Sequence, residues 1–206
     1  MNFLRFPELE ARGLPHFFSL RSEPALTSAD LPTLLKQAGL PDNYVPAEQT
    51  HGAGVAVVGV ADAGKVIPGV DALITWEKNL SLVIRVADCG PIWIHCRKTG
   101  GVALVHSGRK GTEAGVIPAT IRKMKEELGA DPKEMLAHLG PCIRPPHYGV
   151  DFASEIIRQL HREGVGQIVD SGLCTASDQT RFYSYHREKG RTGRHFAAVS
   201  IGGPRV

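Results

Sequence analysis

Continuous apolar runs in the middle of the chain predict buried β-strands. Residues 80–87, 91–96 and 102–106 read LSLVIRVA, PIWIHC and VALVH, with few polar positions. Runs of this kind suit strands that are covered on both faces. Shorter apolar or β-branched runs predict further strands at 15–21, 54–59, 72–75 and 136–140.

Helical spacing of apolar positions appears in three segments, 28–38, 112–128 and 151–163. Each segment places its apolar side chains on one face, and a glycine follows its last apolar turn. Residues 181–186 and 195–201 are rich in β-forming residues and flank the sequence EKGRTG, which predicts a β-hairpin.

The predicted strands and helices are mixed but do not alternate one for one. This order argues against a regular doubly wound fold and favours an α/β fold with layered, mixed β-sheets flanked by helices. The sequence has no internal repeat and no linker-like composition shift. We therefore expect a single domain over residues 1–206.

Composition narrows the class of protein. The 206 residues are 42% hydrophobic and 22% charged, as in an ordinary globular protein, and the net charge is +3. A mildly basic chain can take an anionic ligand, but its basic segment HREKGRTGRH lacks the interleaved aromatic residues of a nucleic-acid platform. No apolar run reaches the roughly 18 residues that span a membrane, and the N-terminal segment lacks the apolar core of a signal peptide. We expect a cytoplasmic protein with no nucleic-acid or membrane partner, and the oligomeric state stays open.

Three residues at predicted strand ends carry the strongest candidate chemistry. His51 precedes one strand, Cys89 follows another, and His106 ends a third; a glycine lies one or two residues after each. Two imidazoles and one thiolate suit Zn²⁺, and three protein ligands leave a fourth position for water. The same residues could instead form a Cys–His dyad, with Cys89 as the nucleophile of a hydrolase. The remaining cysteines, Cys96, Cys142 and Cys174, form no CxxC pair and are expected to be free thiols.

Basic residues in three loops are candidates for binding an anion. Arg109 and Lys110 lie in HSGRKGT, which looks like a loop that leads into a helix. Arg144 lies in the proline-rich GPCIRPPHYGVD, and Arg187 and Arg194 lie in HREKGRTGRH. The plainer interpretation is that these loops are solvated surface.

Several motifs occur together in a known order. They are QTHG at 49–52, DALIT at 71–75, ADC at 87–89, HSGRKG at 106–111, GPCIRPPHYGV at 140–150 and FYSYHREKGRTGR at 182–194. In this order the chain resembles the YfiH-like laccase-domain family, also described as multicopper polyphenol oxidoreductases and as purine nucleoside phosphorylases. The resemblance covers most of residues 15–201 and implies one α/β domain of layered sheets.

The resemblance also implies a function. It carries the family's zinc site to His51, Cys89 and His106, with copper as the alternative metal. It implies phosphorolysis of adenosine, inosine and methylthioadenosine, and deamination of adenosine; the older laccase name implies copper-dependent phenol oxidation. Phosphate would bind Lys110, where the family has an arginine, with Arg144, Arg187 and Arg194 as further candidates. Asp88 would orient a ligand or act as a base.

The sequence departs from the family pattern at two places that concern function. HSGRKG stands where the family has HAGWRG, so Arg109 replaces a tryptophan and Lys110 an arginine. Lysine keeps the charge but loses the bidentate geometry of arginine. Gly149 stands where a carboxylate is usual. A member that binds a ligand without turnover is therefore a third hypothesis.

Overall fold

The computed structural model describes residues 3–202. Eleven strands lie within that part: β1 Phe3–Leu4, β2 His16–Ser19, β3 Tyr44–Pro46, β4 Val55–Val57, β5 Ala72–Thr75, β6 Ser81–Val86, β7 Gly90–Cys96, β8 Val102–Ser107, β9 Met135–Leu139, β10 Gln167–Asp170 and β11 His195–Ser200. The five α-helices there are α1 Pro7–Ala11, α2 Leu31–Ala38, α3 Arg109–Ala114, α4 Val116–Leu128 and α5 Phe152–Arg162. None of the helices described is both long and apolar enough to cross a membrane.

The strands form two mixed sheets. The first has the order β1-β2-β11-β6-β3, in which only the β3–β6 pair is parallel. The second has the order β10-β9-β7-β8-β5-β4, with parallel pairs at its two edges. The continuous apolar runs form β6, β7 and β8, which lie inside these sheets, so the expected mixed sheets are confirmed.

The layers pack as helix, sheet, sheet and helices. Leu82 and Ile84 of β6 face Trp93 and Leu104 of the second sheet, and these side chains form the core between the sheets. Helix α2 covers the outer face of the first sheet. Helices α4 and α5 cover the outer face of the second. Because the sheets are covered on both faces, their central strands are mostly apolar.

Two sequence predictions were wrong in detail. The single helix expected over 112–128 is two helices, α3 and α4, because Gly115 between them has a φ of 82°. The hairpin expected from 181–186 and 195–201 does not form: residues 181–186 lie in turns, and β11 pairs with β2 and β6. Strand β11 is apolar enough for a central position, whereas side chains hold the backbone of Ser184 and His186 outside any ladder.

Three connections between the sheets lie along one side of the molecule and position the site. The segment from β3 to β4 contains His51, the short turn from β6 to β7 contains Cys89, and the segment from β10 to β11 contains Tyr185 and His186. Together these connections line one cleft.

Candidate metal centre and active-site cleft

The side chains of His51, in the segment between β3 and β4, Cys89, directly before β7, and His106, near the end of β8, meet at one place. One ligand atom from each residue lies within 4.8 Å of the other two. The two imidazole rings meet edge to face, with centroids 4.8 Å apart. Within the described residues, this is the one cluster of three or more potential His, Cys, Asp or Glu ligands.

Unusual backbone conformations accompany two of these ligands. His51 has a φ of 63°, and Asp88, directly before Cys89, has a φ of 87°. Positive φ costs a non-glycine residue roughly 1–3 kcal/mol, and such residues concentrate at functional sites.

Gly108 lies against the thiol, because a Cβ at that position would come within 2.4 Å of Cys89 Sγ. Any larger residue at 108 would displace the thiol.

Asp71, the first residue of DALIT, supports the cluster through hydrogen bonds. Its Oδ1 accepts hydrogen bonds from His106 Nδ1 at 2.7 Å and from the His51 backbone N–H at 2.9 Å. Its Oδ2 accepts from Gly52 N at 2.8 Å and Thr50 Oγ1 at 3.0 Å. Asp71 is completely buried. The hydrogen bond between Asp71 and His106 places the His106 proton on Nδ1 and leaves Nε2 as the ligand atom.

The electrostatics lower the pKa of the Cys89 thiol toward neutral pH. Burial alone would raise the pKa of Cys89, but hydrogen bonds with His106 and His51 lower it to about 7. Burial would lower the pKa of His106, but its bonds with Asp71 and Cys89 raise it to about 9. Burial opposes the Asp71 charge as well, yet the bonds from His106 and Gly52 lower its pKa overall.

The donor set fits a metal ion. Zinc takes thiolate and imidazole ligands and uses three protein ligands plus an open position at catalytic sites. The Asp71–His106 contact is the hydrogen-bonded support that metal-binding histidines commonly have. Two histidines and one cysteine are also donors that copper accepts. His51, Cys89 and His106 are therefore the residues that would hold the ion.

The cluster opens into a cleft of about 1060 Å³. One wall is aromatic and contains Tyr148, Phe152, Tyr185 and His186. His186 meets Tyr148 edge to face at 5.4 Å, and the Arg194 guanidinium lies 5.3 Å above the Tyr185 ring. A flat ring with a polar substituent would find stacking surfaces along this wall.

Asp88 lines the cleft, but its carboxylate is fully engaged. Oδ1 accepts from Thr175 Oγ1 at 2.6 Å, and Oδ2 accepts from the His186 backbone N–H at 2.7 Å. The residue is only 7% exposed. These contacts fasten the turn before Cys89 to the aromatic wall and favour a positioning role for Asp88; its role as a general base stays a prediction.

The predicted anion-binding residues separate into two groups. Arg109 and Arg194 line the cleft, whereas Lys110, Arg144 and Arg187 do not. The Arg144 side chain pairs with Asp170 and donates to the Leu173 carbonyl, and Arg187 donates to the Ala176 carbonyl. Lys110 is exposed on the first turn of α3. The geometry therefore favours Arg109 and Arg194 as anion ligands, and phosphate binding by Lys110, Arg144 and Arg187 stays a prediction.

Sequence reasoning missed Asp71, Gln49 and Arg85 as site residues. Gln49 and Arg85 line the cleft, and Asp71 supports the cluster. The sequence contained a signal for two of them. Asp71 is an acid at the start of the apolar segment DALIT, and Arg85 is an arginine inside the apolar run LSLVIRVA. A charge within a buried strand needs a partner or a function.

Comparison with known proteins agrees with the fold and the motifs. The family described as multi-copper polyphenol oxidoreductase laccase matches residues 18–155 and 146–202. A Streptomyces coelicolor protein named purine nucleoside phosphorylase SCO2081 is 33% identical over 84% of this chain and 81% of its own length. Purine nucleoside phosphorylase ORF3 of Streptomyces griseus is 38% identical over 84% of this chain and 80% of its own length.

A solved structure extends the agreement to the whole architecture. YlmD from Geobacillus stearothermophilus superposes with a TM-score of 0.88 and 23% identity, over 98% of this chain and 97% of the other. At that identity the match speaks for the fold alone. The ordered motifs, the layered fold and the family match together identify the chain as a member of the YfiH-like, multi-copper polyphenol oxidoreductase laccase family.

Proposed function

We propose that this protein is a zinc-dependent purine nucleoside phosphorylase whose active site is the cleft beside His51, Cys89 and His106. The observation that carries the proposal is the convergence of these three ligand side chains at the floor of a cleft with an aromatic wall. The names of the Streptomyces relatives support the substrate class.

The residues of the cleft suit the two substrates of phosphorolysis. The aromatic wall offers stacking surfaces for a purine base, and arginines that line the same cleft offer charge for phosphate. In the reaction, a phosphate oxygen bonds to ribose C1′ while the C1′–N9 bond breaks and its electron pair leaves with the base. A bound zinc ion would supply a Lewis acid and an activated water at the cluster.

Deamination of adenosine is the second candidate activity. It needs a water that attacks C6 of the base, after which ammonia leaves. Three protein ligands leave one coordination position for such a water, and the cluster borders the cleft directly. Both activities would use the same nucleoside, so one assay separates them.

The other hypotheses predict different behaviour. Copper-dependent phenol oxidation by a multicopper centre needs further clusters of ligands, and the described residues contain one cluster. A Cys89 nucleophile finds support in a thiol pKa of about 7 beside His106, and predicts activity without metal. A binding protein without turnover finds support in the departures at Lys110 and Gly149.

The experiment is a product assay on zinc-loaded protein incubated with adenosine, with and without phosphate. We expect adenine to form only when phosphate is present, and inosine to reveal any deamination. His51→Ala is the matched variant, and it should lose both metal and activity while its circular dichroism spectrum is unchanged.

If the protein stayed fully active after chelation and lost its activity on thiol alkylation, the cysteine hydrolase would replace the phosphorylase as the proposed function. Nucleoside binding without any product from zinc-loaded protein would replace it by the binding role.

A further inference from the structure

Arg85 is an exception within its strand. The other five residues of β6 are buried, and only Arg85 is exposed. Side chains alternate along a strand, so Arg85 lies on the face that carries Val83, which packs toward α2. Helix α2 does not cover the strand at Arg85, and the arginine there lines the cleft.

A second arginine lies on the same face. The antiparallel register pairs Arg85 with Phe196, so Arg194, two residues earlier in the chain, is a diagonal neighbour on the Arg85 face. Arg194 also lines the cleft. Its Nη1 donates to the carbonyls of Thr192 and Gly193, which fixes its position above Tyr185. Its other donors are not used in these contacts.

The backbone of Arg85 is tied to the loop that carries His51. Gln49 Nε2 donates to the Arg85 carbonyl at 2.6 Å, and Gln49 Oε1 accepts from the Arg85 N–H at 2.8 Å. The amide side chain thus continues the parallel ladder beyond Pro46 of β3. Because Gln49 is two residues before His51, this pair sets the position of Arg85 relative to the metal cluster.

The Arg85 guanidinium forms no ion pair with the acidic residues of the cleft. The two acidic residues that line the cleft are already engaged, Asp88 by Thr175 and His186 and Glu48 by the Gly69 N–H. Within residues 3–202, the Arg85 guanidinium forms no hydrogen bond and no ion pair with another side chain. A free guanidinium beside a second arginine is well suited to a divalent oxyanion, which it can bind through two parallel hydrogen bonds.

We propose that Arg85, together with Arg194, binds the phosphate co-substrate in the cleft. This proposal rests on the proposed phosphorolysis and changes its anion site: the charge comes from Arg85 in β6 and from Arg194, directly before β11. Lys110, which occupies the position of the family's arginine, lies outside the cleft lining.

The test compares Arg85→Gln, Arg85→Lys and Lys110→Gln, with Arg122→Gln as the matched control. Arg122 is exposed on α4 and does not line the cleft. We expect Arg85→Gln to raise the KM for phosphate roughly 10- to 100-fold, the effect of losing a hydrogen bond to a charged group. The KM for the nucleoside should stay within about twofold, and Arg85→Lys should recover part of the loss. An unchanged phosphate KM in Arg85→Gln, or a larger effect in Lys110→Gln, would overturn the proposal.

A direct binding measurement separates this proposal from the proposed function. Phosphate is titrated calorimetrically into zinc-loaded protein without nucleoside. If the wild type binds phosphate but forms no product, the phosphorylase proposal fails. Weaker binding by Arg85→Gln still supports the anion site, and equal binding overturns it. A wild type that does not bind phosphate overturns both.

Discussion

At the scale of single residues, the candidate site depends on a few side chains with several simultaneous contacts. Asp71 accepts four hydrogen bonds from Thr50, His51, Gly52 and His106. It thereby fixes the backbone of one metal-ligand candidate and the ring of another. A buried carboxylate in this role gains its stability only from the full set of donors.

We expect Asp71→Asn to weaken zinc binding by roughly 10- to 100-fold, the usual effect of removing the support of a ligand histidine. All four partners of Asp71 are donors, but asparagine has only one accepting oxygen, so its NH2 group would face either His106 and the His51 N–H or Thr50 and the Gly52 N–H. Either arrangement removes part of the support of the ligand residues. The measurement is a competition titration against a chromophoric zinc chelator.

Asp42→Asn is the control, because Asp42 is exposed and does not line the cleft. Zinc affinity in Asp71→Asn equal to that of the control would contradict the role of Asp71. Thermal unfolding of both metal-free variants shows whether the fold itself is intact.

At the scale of elements, sequence pattern predicted the central strands, the edge strand β4 and helices α2 and α5, but not the edge strands β1, β3 and β10. Strands β6, β7 and β8 were predictable because burial on both faces leaves an apolar run. Strand β3 has only three residues, and its pairing with β6 imposes its extended form. The long connection before β11 was misjudged because side-chain bonds from distant residues hold its turns.

The same distinction applies to the site. His51, Cys89 and His106 could be singled out because strong metal ligands precede small residues at strand ends. Asp71 and Arg85 could not be assigned a role, because their partners come from other strands and from the loop at 49–52. Lys110 does not line the cleft. The sequence could not predict this, because it does not show which way the first turn of α3 faces.

Glu188 holds the connection before β11 in its turned form. Its carboxylate accepts from Arg21, the Ser184 N–H and Thr192 Oγ1. Burial alone would raise the pKa of Glu188, but these hydrogen bonds lower it below 4.5. The folded state therefore favours the charged form, and this stabilisation is complete above pH 4.5 and is lost as the pH falls through the lower folded pKa.

We expect Glu188→Gln to reduce the free energy of unfolding at pH 7 by roughly 1–3 kcal/mol, since an amide group would face the Arg21 guanidinium. Urea unfolding of wild type and variant should give curves that converge at acidic pH. The exposed Glu126→Gln serves as the control. A loss of stability that is the same at pH 7 and below pH 4 would exclude the charge as its cause.

At the scale of the whole molecule, several buried histidines are distributed through both sheets. Burial lowers the pKa of His95, His138 and His195 to about 4 in each case. His138 lies between the Phe6 and Trp93 rings, and neither of its ring nitrogens has a hydrogen-bond partner among the described residues. These histidines are neutral in the folded protein at neutral pH.

Stability should therefore fall as the pH decreases from about 6.5 to about 4. In that window the unfolded chain binds protons that the folded chain excludes, which costs roughly 1.4 kcal/mol per pH unit for each histidine. Urea unfolding of chelator-treated protein at several pH values measures this slope. His138→Leu should reduce the slope of stability against pH by the contribution of one histidine. The exposed His161→Gln should leave the slope unchanged. An unaltered slope in His138→Leu would show that His138 does not titrate in this way.

The positions of His51 and Cys89 on two separate connections between the sheets have a mechanical consequence. An ion held by these residues would tie the β3–β4 and β6–β7 connections to each other and to the end of β8, in addition to the hydrogen bonds already made there by Asp71 and Asp88. It would act as a removable cross-link that closes two large loops of the chain, as a disulfide does in an oxidising compartment. Loss of the ion would then free these connections along the cleft and lower the melting temperature. The melting temperature of this protein would therefore report what fraction of the molecules holds metal.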